Sequence, residues 1–102
     1  MNETKGIVFV VDDELPVRRA IKRLVESEGW QVEPFESAQG FLDWFLQAKR
    51  PDVPSCLILD VRLRGRSGLE FQQELAKDNI HIPIIFITAH GDIPVTVQAM
   101  KA

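Results

Sequence analysis

The sequence lacks the features that would place it in several protein classes. Cys56 is the only cysteine in 102 residues, which excludes an internal disulfide or a thiolate metal cluster. No apolar stretch approaches the ~20 residues that cross a bilayer, and no repeat or Gly/Ser-rich linker divides the chain. A formal net charge of −3 offers no broad basic surface for nucleic acid. We therefore expect one soluble domain, residues 1–102, in the reducing cytoplasm.

Three apolar segments have the composition of buried strands, namely Ile7–Val11, Cys56–Leu59 and Pro83–Ile87, and Trp30–Pro34 is predicted to be a short strand between the first two. Continuous apolar runs rich in β-branched residues are typical of parallel strands that are covered on both faces.

Helical patterns separate the four strands. Pro16 lies near the start of the first helix and Gly29 near its end. Ser37 is a predicted N-cap of a second helix, and a capping-box pattern at Ser67 opens a third, which ends near Asn79. A fourth helix is predicted from Asp92 to Ala102. The predicted inner face of the first helix comprises Val17, Ala20, Ile21, Leu24 and Val25, at helical spacing.

This alternation of strands and helices predicts an α/β fold. It implies an open parallel sheet with right-handed crossovers and helices on both faces. In such sheets, ligands bind outside the carboxyl ends of the strands. Asp12 and Asp13 follow the first strand and Asp60 follows the third, so all three carboxylates should meet at that edge.

Three adjacent carboxylates point to a bound cation. Like charges a few ångströms apart must share protons, separate, or hold a metal ion, and oxygen ligands favour Mg²⁺. With a cation beside it, Asp60 could act as a nucleophile toward phosphorus and form an aspartyl phosphate. Alternatively, Asp12 and Asp13 are first-turn acids favoured by the helix dipole, but this leaves Asp60 unexplained.

Three motifs resemble those of the receiver domain of bacterial two-component response regulators. They are Val10 to Glu14, Leu57 to Asp60 with Ser67 and Gly68 downstream, and Phe86 to Asp92, and the last resembles the NarL/FixJ type. The resemblance implies a flavodoxin-like (CheY-like) receiver fold with strand order 2-1-3-4. The fifth strand and helix of that fold would lie beyond Ala102.

The resemblance also implies roles for individual residues. Asp60 would accept a phosphoryl group from a sensor histidine kinase. Asp12, Asp13, Asp60 and the backbone carbonyl of Arg62 would hold Mg²⁺, directly or through water. Thr88 would be the switch hydroxyl that turns toward the phosphoryl oxygens, although by itself it could be an ordinary strand-end residue.

A basic face on the first helix has two interpretations. It comprises Arg18, Arg19, Lys22 and Arg23. Such a face is often simply solvated, but in the family this helix docks the kinase, so Arg18, Arg19 and Lys22 are predicted partner-binding residues.

The chain departs from the family pattern in two ways. Arg64 stands where the family usually has proline, and the expected lysine and switch aromatic would lie beyond Ala102. We therefore expect an incomplete receiver domain, whose fourth strand is an open edge that favours self-association. A homodimer through the fourth strand and helix is one predicted outcome.

The predicted function is a phosphorylation-dependent switch that controls transcription through an output domain outside this chain. It is not an enzyme beyond its own phosphoryl transfer and dephosphorylation. One alternative is a receiver-like interaction module that is not phosphorylated. Another is a metal-dependent phosphohydrolase, which is disfavoured because Arg62 stands where such enzymes carry a second acid.

Overall fold

A computed structural model describes residues 5–47, 52–63, 66–87 and 98–100. The helices are α1 (Leu15–Ser27), α2 (Ala38–Gln47) and α3 (Gly68–Lys77). The strands are β1 (Ile7–Val11), β2 (Gln31–Phe35), β3 (Ser55–Asp60), β4 (Arg62–Leu63), β5 (Arg66–Ser67), β6 (Ile84–Ile87) and β7 (Gln98–Met100).

The main sheet has the strand order β2-β1-β3-β6-β7. Strands β2, β1, β3 and β6 are parallel to their neighbours, and β7 is antiparallel to β6. The predicted order 2-1-3-4 is confirmed. The fourth predicted strand is β6 in the structure, because the short strands β4 and β5 precede it along the chain. Pro34 lies in β2, which is an edge strand of this sheet, where a missing N–H is tolerated.

The predicted helix ends are confirmed. The Ser37 hydroxyl accepts a hydrogen bond from the Gly40 N–H at 3.0 Å, and the Ser67 hydroxyl accepts one from the Glu70 N–H at 3.1 Å. Asn79, with φ of 59°, follows α3 in the left-handed conformation that ends many helices. Within the described ranges, no helix combines the length and apolar character needed to span a membrane.

The larger core lies between the sheet and helices α2 and α3. It contains alternate residues of β1, β3 and β6 together with Phe41, Phe45, Phe71 and Leu75. Phe9 is fully buried at its centre, and its ring contacts those of four other aromatic residues. These are Phe35, Phe41, Trp44 and Phe45, with ring centroids 5.2–6.5 Å from that of Phe9.

The opposite face of the sheet is covered less completely. Ile21 and Val25 of α1 pack on a smaller cluster around Val8 and Val10, as predicted. Ala20 and Leu24 were also predicted to face inward, but both are exposed, Leu24 by 68%. Leu24 borders an apolar groove on this face that is open to solvent, with Val8, Ile58 and Ile85 of the sheet also lining it.

The predicted fourth helix from Asp92 to Ala102 is wrong where the structure describes it. Residues 98–100 form β7, in which Met100 pairs with Ile84 and Gln98 with Phe86. The exposed N–H and C=O groups of a sheet edge favour pairing with another strand, and this pairing outweighs the helical pattern here. The edge of β6 is therefore paired rather than open. Self-association stays a prediction.

We predict that Phe9→Ala destabilises the domain by about 3–5 kcal/mol, because it leaves a cavity surrounded by rings that cannot all move inward. Urea unfolding monitored by circular dichroism would measure the loss. Leu24→Ala is the matched control, since it also truncates a large apolar side chain but at an exposed position. Equal losses for the two variants would contradict this account of the core.

Candidate functional site

The register of β1 and β3 brings three acids together. Val11 pairs with Leu59, so Asp12 and Asp60 occupy equivalent positions at the ends of neighbouring strands. The Asp12 N–H donates to the Phe35 carbonyl at 3.1 Å, which continues the pairing of β1 with β2 for one more residue. Asp12 and Asp60 therefore lie at the carboxyl edge of the sheet, as the sequence predicted.

The three carboxylates form a compact, largely buried cluster. One oxygen from each of Asp12, Asp13 and Asp60 lies within 4.8 Å of the others. Asp12 is only 2% exposed and Asp60 only 3% exposed, whereas Asp13 is half-buried. The predicted convergence of these residues is confirmed.

Burial of these charges changes the protonation of Asp12. Desolvation raises the pKa of Asp12 from its usual 3.8 to about 6. The hydrogen bond that its carboxylate accepts from the Glu14 N–H, at 2.8 Å, opposes the rise, while the nearby charges of Asp60 and Asp13 add to it. The site thus has excess negative charge that a proton or a cation can neutralise.

The donor set suits a hard divalent cation. All three side chains offer oxygen, the ligand atom that Mg²⁺ prefers, and their ligand atoms lie within 4.8 Å of one another. Bound Mg²⁺ usually takes one or two carboxylates directly and keeps several waters. Asp12, Asp13 and Asp60 are the described side chains that would hold it.

The chain immediately after Asp60 is fixed by backbone contacts. The Arg62 N–H donates to Asp60 Oδ1 at 2.9 Å, and the Val61 N–H donates to the Ile87 carbonyl at 2.9 Å. The backbone of Arg62 therefore adjoins the acceptor carboxylate. The ligand role of its carbonyl oxygen stays a prediction.

Gly68 allows α3 to begin directly against the acceptor strand. A Cβ atom at this position would lie 2.5 Å from the Asp60 carbonyl oxygen, closer than real Cβ contacts allow. The Gly68 N–H also donates to the Val61 carbonyl at 2.8 Å. Glycine is required here by the close approach of two backbones, and this contact adjoins the residue that carries the chemistry.

The predicted switch residue lies outside the described residues. Ile87 pairs in register with Asp60, and Thr88 follows Ile87 directly in the sequence. The role of Thr88 stays a prediction.

The predicted basic face of α1 divides into residues with different surroundings. Lys22 forms an exposed ion pair with Glu26 at 2.7 Å, which contributes little to stability. Arg19 is exposed, as a docking residue should be. Arg18 is half-buried instead, and its Nη1 donates to the Asp12 backbone carbonyl at 2.6 Å.

Sequence reasoning missed this contact of Arg18 and the close approach at Gly68. A basic residue six positions after Asp12, within the first turns of a helix, was the available signal for the former. For Gly68, the available signal was a glycine in the first turn of a helix, directly after the N-cap Ser67. A larger residue is ordinarily acceptable at such a position, so its presence there suggests a special requirement. Neither signal is specific without the packing of the helices.

Comparison with known proteins identifies the family to which the fold belongs. Residues 8–102 match the response regulator receiver domain family, so the chain belongs to that family. Nodulation protein W of Bradyrhizobium diazoefficiens (strain USDA 110) is 59% identical over 98 residues, which are 96% of this chain and 41% of that protein. The chain thus spans less than half of this relative.

Solved structures agree with this assignment. A structure of FixJ-N is 37% identical, with a TM-score of 0.71, over 92% of this chain and 70% of that one. A structure of the response regulator TrrA from Thermotoga maritima, in complex with Mg(2+)-BeF, is 30% identical with a TM-score of 0.70. It is matched over 84% of this chain and 71% of that one. The predicted CheY-like fold of NarL/FixJ type is confirmed.

We predict that Asp12→Asn stabilises the metal-free domain more at pH 7.5 than at pH 4.5. Because the pKa of Asp12 is raised to about 6, the folded state holds its proton between about pH 4 and 6 while the unfolded state releases it. The native domain with Asp12 therefore loses stability as pH rises through that window, by roughly 2–3 kcal/mol.

Urea unfolding of both proteins in EDTA, at the two pH values, measures this effect. Comparing the variant with the native sequence cancels the contribution of the carboxylates that do not interact with Asp12. A stability difference between the two proteins that stays constant or shrinks from pH 4.5 to 7.5 would contradict it.

We predict that Gly68→Ala destabilises the domain by about 1–3 kcal/mol and weakens Mg²⁺ binding, because the added methyl group must displace the backbone of Asp60. Thermal melting and calorimetric titration with MgCl₂ would measure the two effects. Gly40→Ala is the control, since a Cβ atom there meets only side-chain atoms, at 3.3 Å or more. Unchanged Mg²⁺ affinity in Gly68→Ala would show that Asp60 tolerates the shift.

Proposed function

We propose that this chain is a receiver domain that accepts a phosphoryl group on Asp60 from a sensor histidine kinase. The observation that carries the proposal is the convergence of Asp60 with Asp12 and Asp13 at one buried edge. Family membership supports it, because receiver domains are the phosphoacceptor parts of response regulators.

In the proposed reaction, an Asp60 carboxylate oxygen attacks the phosphorus of a phosphohistidine. The new O–P bond forms as the P–N bond breaks, and the electron pair returns to the imidazole nitrogen, which takes up a proton from solvent. Bound Mg²⁺ would neutralise charge on the phosphoryl oxygens. The Arg62 N–H donates to Asp60 Oδ1 and so helps to fix the orientation of the attacking carboxylate.

The signalling step follows from added charge. An aspartyl phosphate introduces nearly two negative charges at the carboxyl edge of the sheet. The strand β6 ends at this edge, where Ile87 pairs with Asp60. We propose that Thr88 responds to these charges and that the chain from β6 onward shifts between two arrangements. The domain would catalyse only its own phosphorylation and dephosphorylation. It would act in the cytoplasm.

The partners proposed are a histidine kinase and, through an output domain, DNA. Arg19 and Lys22 on the outer side of α1 would meet the kinase. Relatives such as the transcriptional regulatory protein FixJ of B. diazoefficiens support transcription control through an output domain outside this chain. Any homodimer would involve the β6 and β7 end of the sheet.

Incubation with acetyl phosphate and MgCl₂, followed by intact-protein mass spectrometry, tests the proposal. We expect an adduct of one phosphoryl group that is absent from Asp60→Asn and present in Asp52→Asn. Asp52 is an exposed carboxylate and provides the matched control.

Two other outcomes correspond to the alternative functions. Release of phosphate without an adduct would favour a phosphohydrolase. Absence of both adduct and turnover would favour an interaction module that is not phosphorylated.

A further inference from the structure

The side chain of Arg18 links helix α1 to the acidic site. Side chains on a helix lean toward its N-terminus, so Arg18 reaches back from the first turn of α1 toward the end of β1. There its Nη1 donates to the Asp12 carbonyl oxygen at 2.6 Å. Arg18 is half-buried, unlike the exposed Arg19 beside it.

The contact adds a third hydrogen bond to Asp12. The Asp12 N–H donates to the Phe35 carbonyl, and its carboxylate accepts from the Glu14 N–H. Arg18 supplies a donor for the backbone carbonyl. A charge-assisted bond of this kind is roughly twice as strong as a neutral one.

The Asp12 carbonyl also determines the position of Asp13. The C=O of Asp12 and the N–H of Asp13 belong to one planar peptide group. A donor that holds this carbonyl holds the whole plane, and therefore the direction in which the chain passes from one acid to the next. Asp13 is only half-buried, so packing constrains it less than it constrains Asp12.

We propose that Arg18 is a positioning residue for cation binding. Its guanidinium fixes the peptide plane between Asp12 and Asp13, so that both carboxylates stay within reach of a divalent ion shared with Asp60. This assignment rests on the proposed function of the site. It replaces, for Arg18 alone, the role in kinase docking suggested by the sequence.

Positioning and simple charge predict opposite effects. A guanidinium near the site repels a cation, so loss of its charge alone would tighten Mg²⁺ binding by a small factor. If the Asp12 carbonyl were no longer held, Asp12 and Asp13 would be less well oriented and Mg²⁺ binding would weaken. Changes in residues that orient metal ligands typically cost 10–100-fold in affinity. The direction of the change therefore distinguishes the two roles.

Calorimetric titration of the 102-residue protein with MgCl₂ tests the proposal. We expect Arg18→Met, which keeps an unbranched apolar stem but loses the donor, to raise the Mg²⁺ dissociation constant about tenfold. Arg23→Met is the matched control. It removes the same charge from the same helix at an exposed position, about 7 Å further along its axis. We expect it to change the constant less than twofold.

Arg18→Lys provides a rescue, since it restores a cationic donor, and we expect its affinity to lie between those of Arg18→Met and the native protein. Thermal melting in EDTA shows whether each variant is folded. Should Arg18→Met lack a cooperative transition, Arg18→Gln takes its place, because its shorter neutral side chain also loses the carbonyl contact.

Weakening of less than threefold, or tighter binding, in the folded Arg18 variant would overturn the proposal. Failure of the native protein to bind Mg²⁺ would instead refute the proposed function of the site. The two failures are therefore distinguishable.

Discussion

The properties of the site depend on the burial of three carboxylates that the fold brings together. Desolvation disfavours the charged form of Asp12, repulsion from the nearby charges of Asp60 and Asp13 adds to this cost, and the pKa of Asp12 rises as a result. A fold that maintains such a cluster without a ligand is less stable than one with neutral residues there. The same repulsion makes the site responsive, because a cation or a proton lowers its free energy.

The surrounding architecture keeps the cluster from relaxing. Strand pairing places Asp12 beside Asp60, and the aromatic core around Phe9 supports β1 from beneath. Gly68 allows α3 to begin against the Asp60 backbone. Arg18 reaches the same region from α1. Elements from both faces of the sheet therefore act on a site of three residues, which is how packing far from the acids can influence their chemistry.

Local patterns predicted most of the parallel sheet and the position of the acids. The β-branched runs of β1, β3 and β6, the caps at Ser37 and Ser67, and the acids that follow β1 and β3 are all properties of short segments. The helix predicted from Asp92 was wrong over residues 98–100, because the edge of β6 offers backbone partners that no local pattern reveals. The exposure of Leu24 was missed for a similar reason, since it depends on whether another segment covers the groove that Leu24 borders beside the sheet.

The sequence by itself determined the alternation of strands and helices, the acids at the carboxyl edge and the resemblance to a receiver domain. These are matters of residue type and spacing along the chain. Only the tertiary structure decided that Arg18 contacts the Asp12 backbone, that Gly68 has no room for a side chain, and that β7 pairs with β6. Each of these involves two segments separated along the chain, and their distance in space is set by packing.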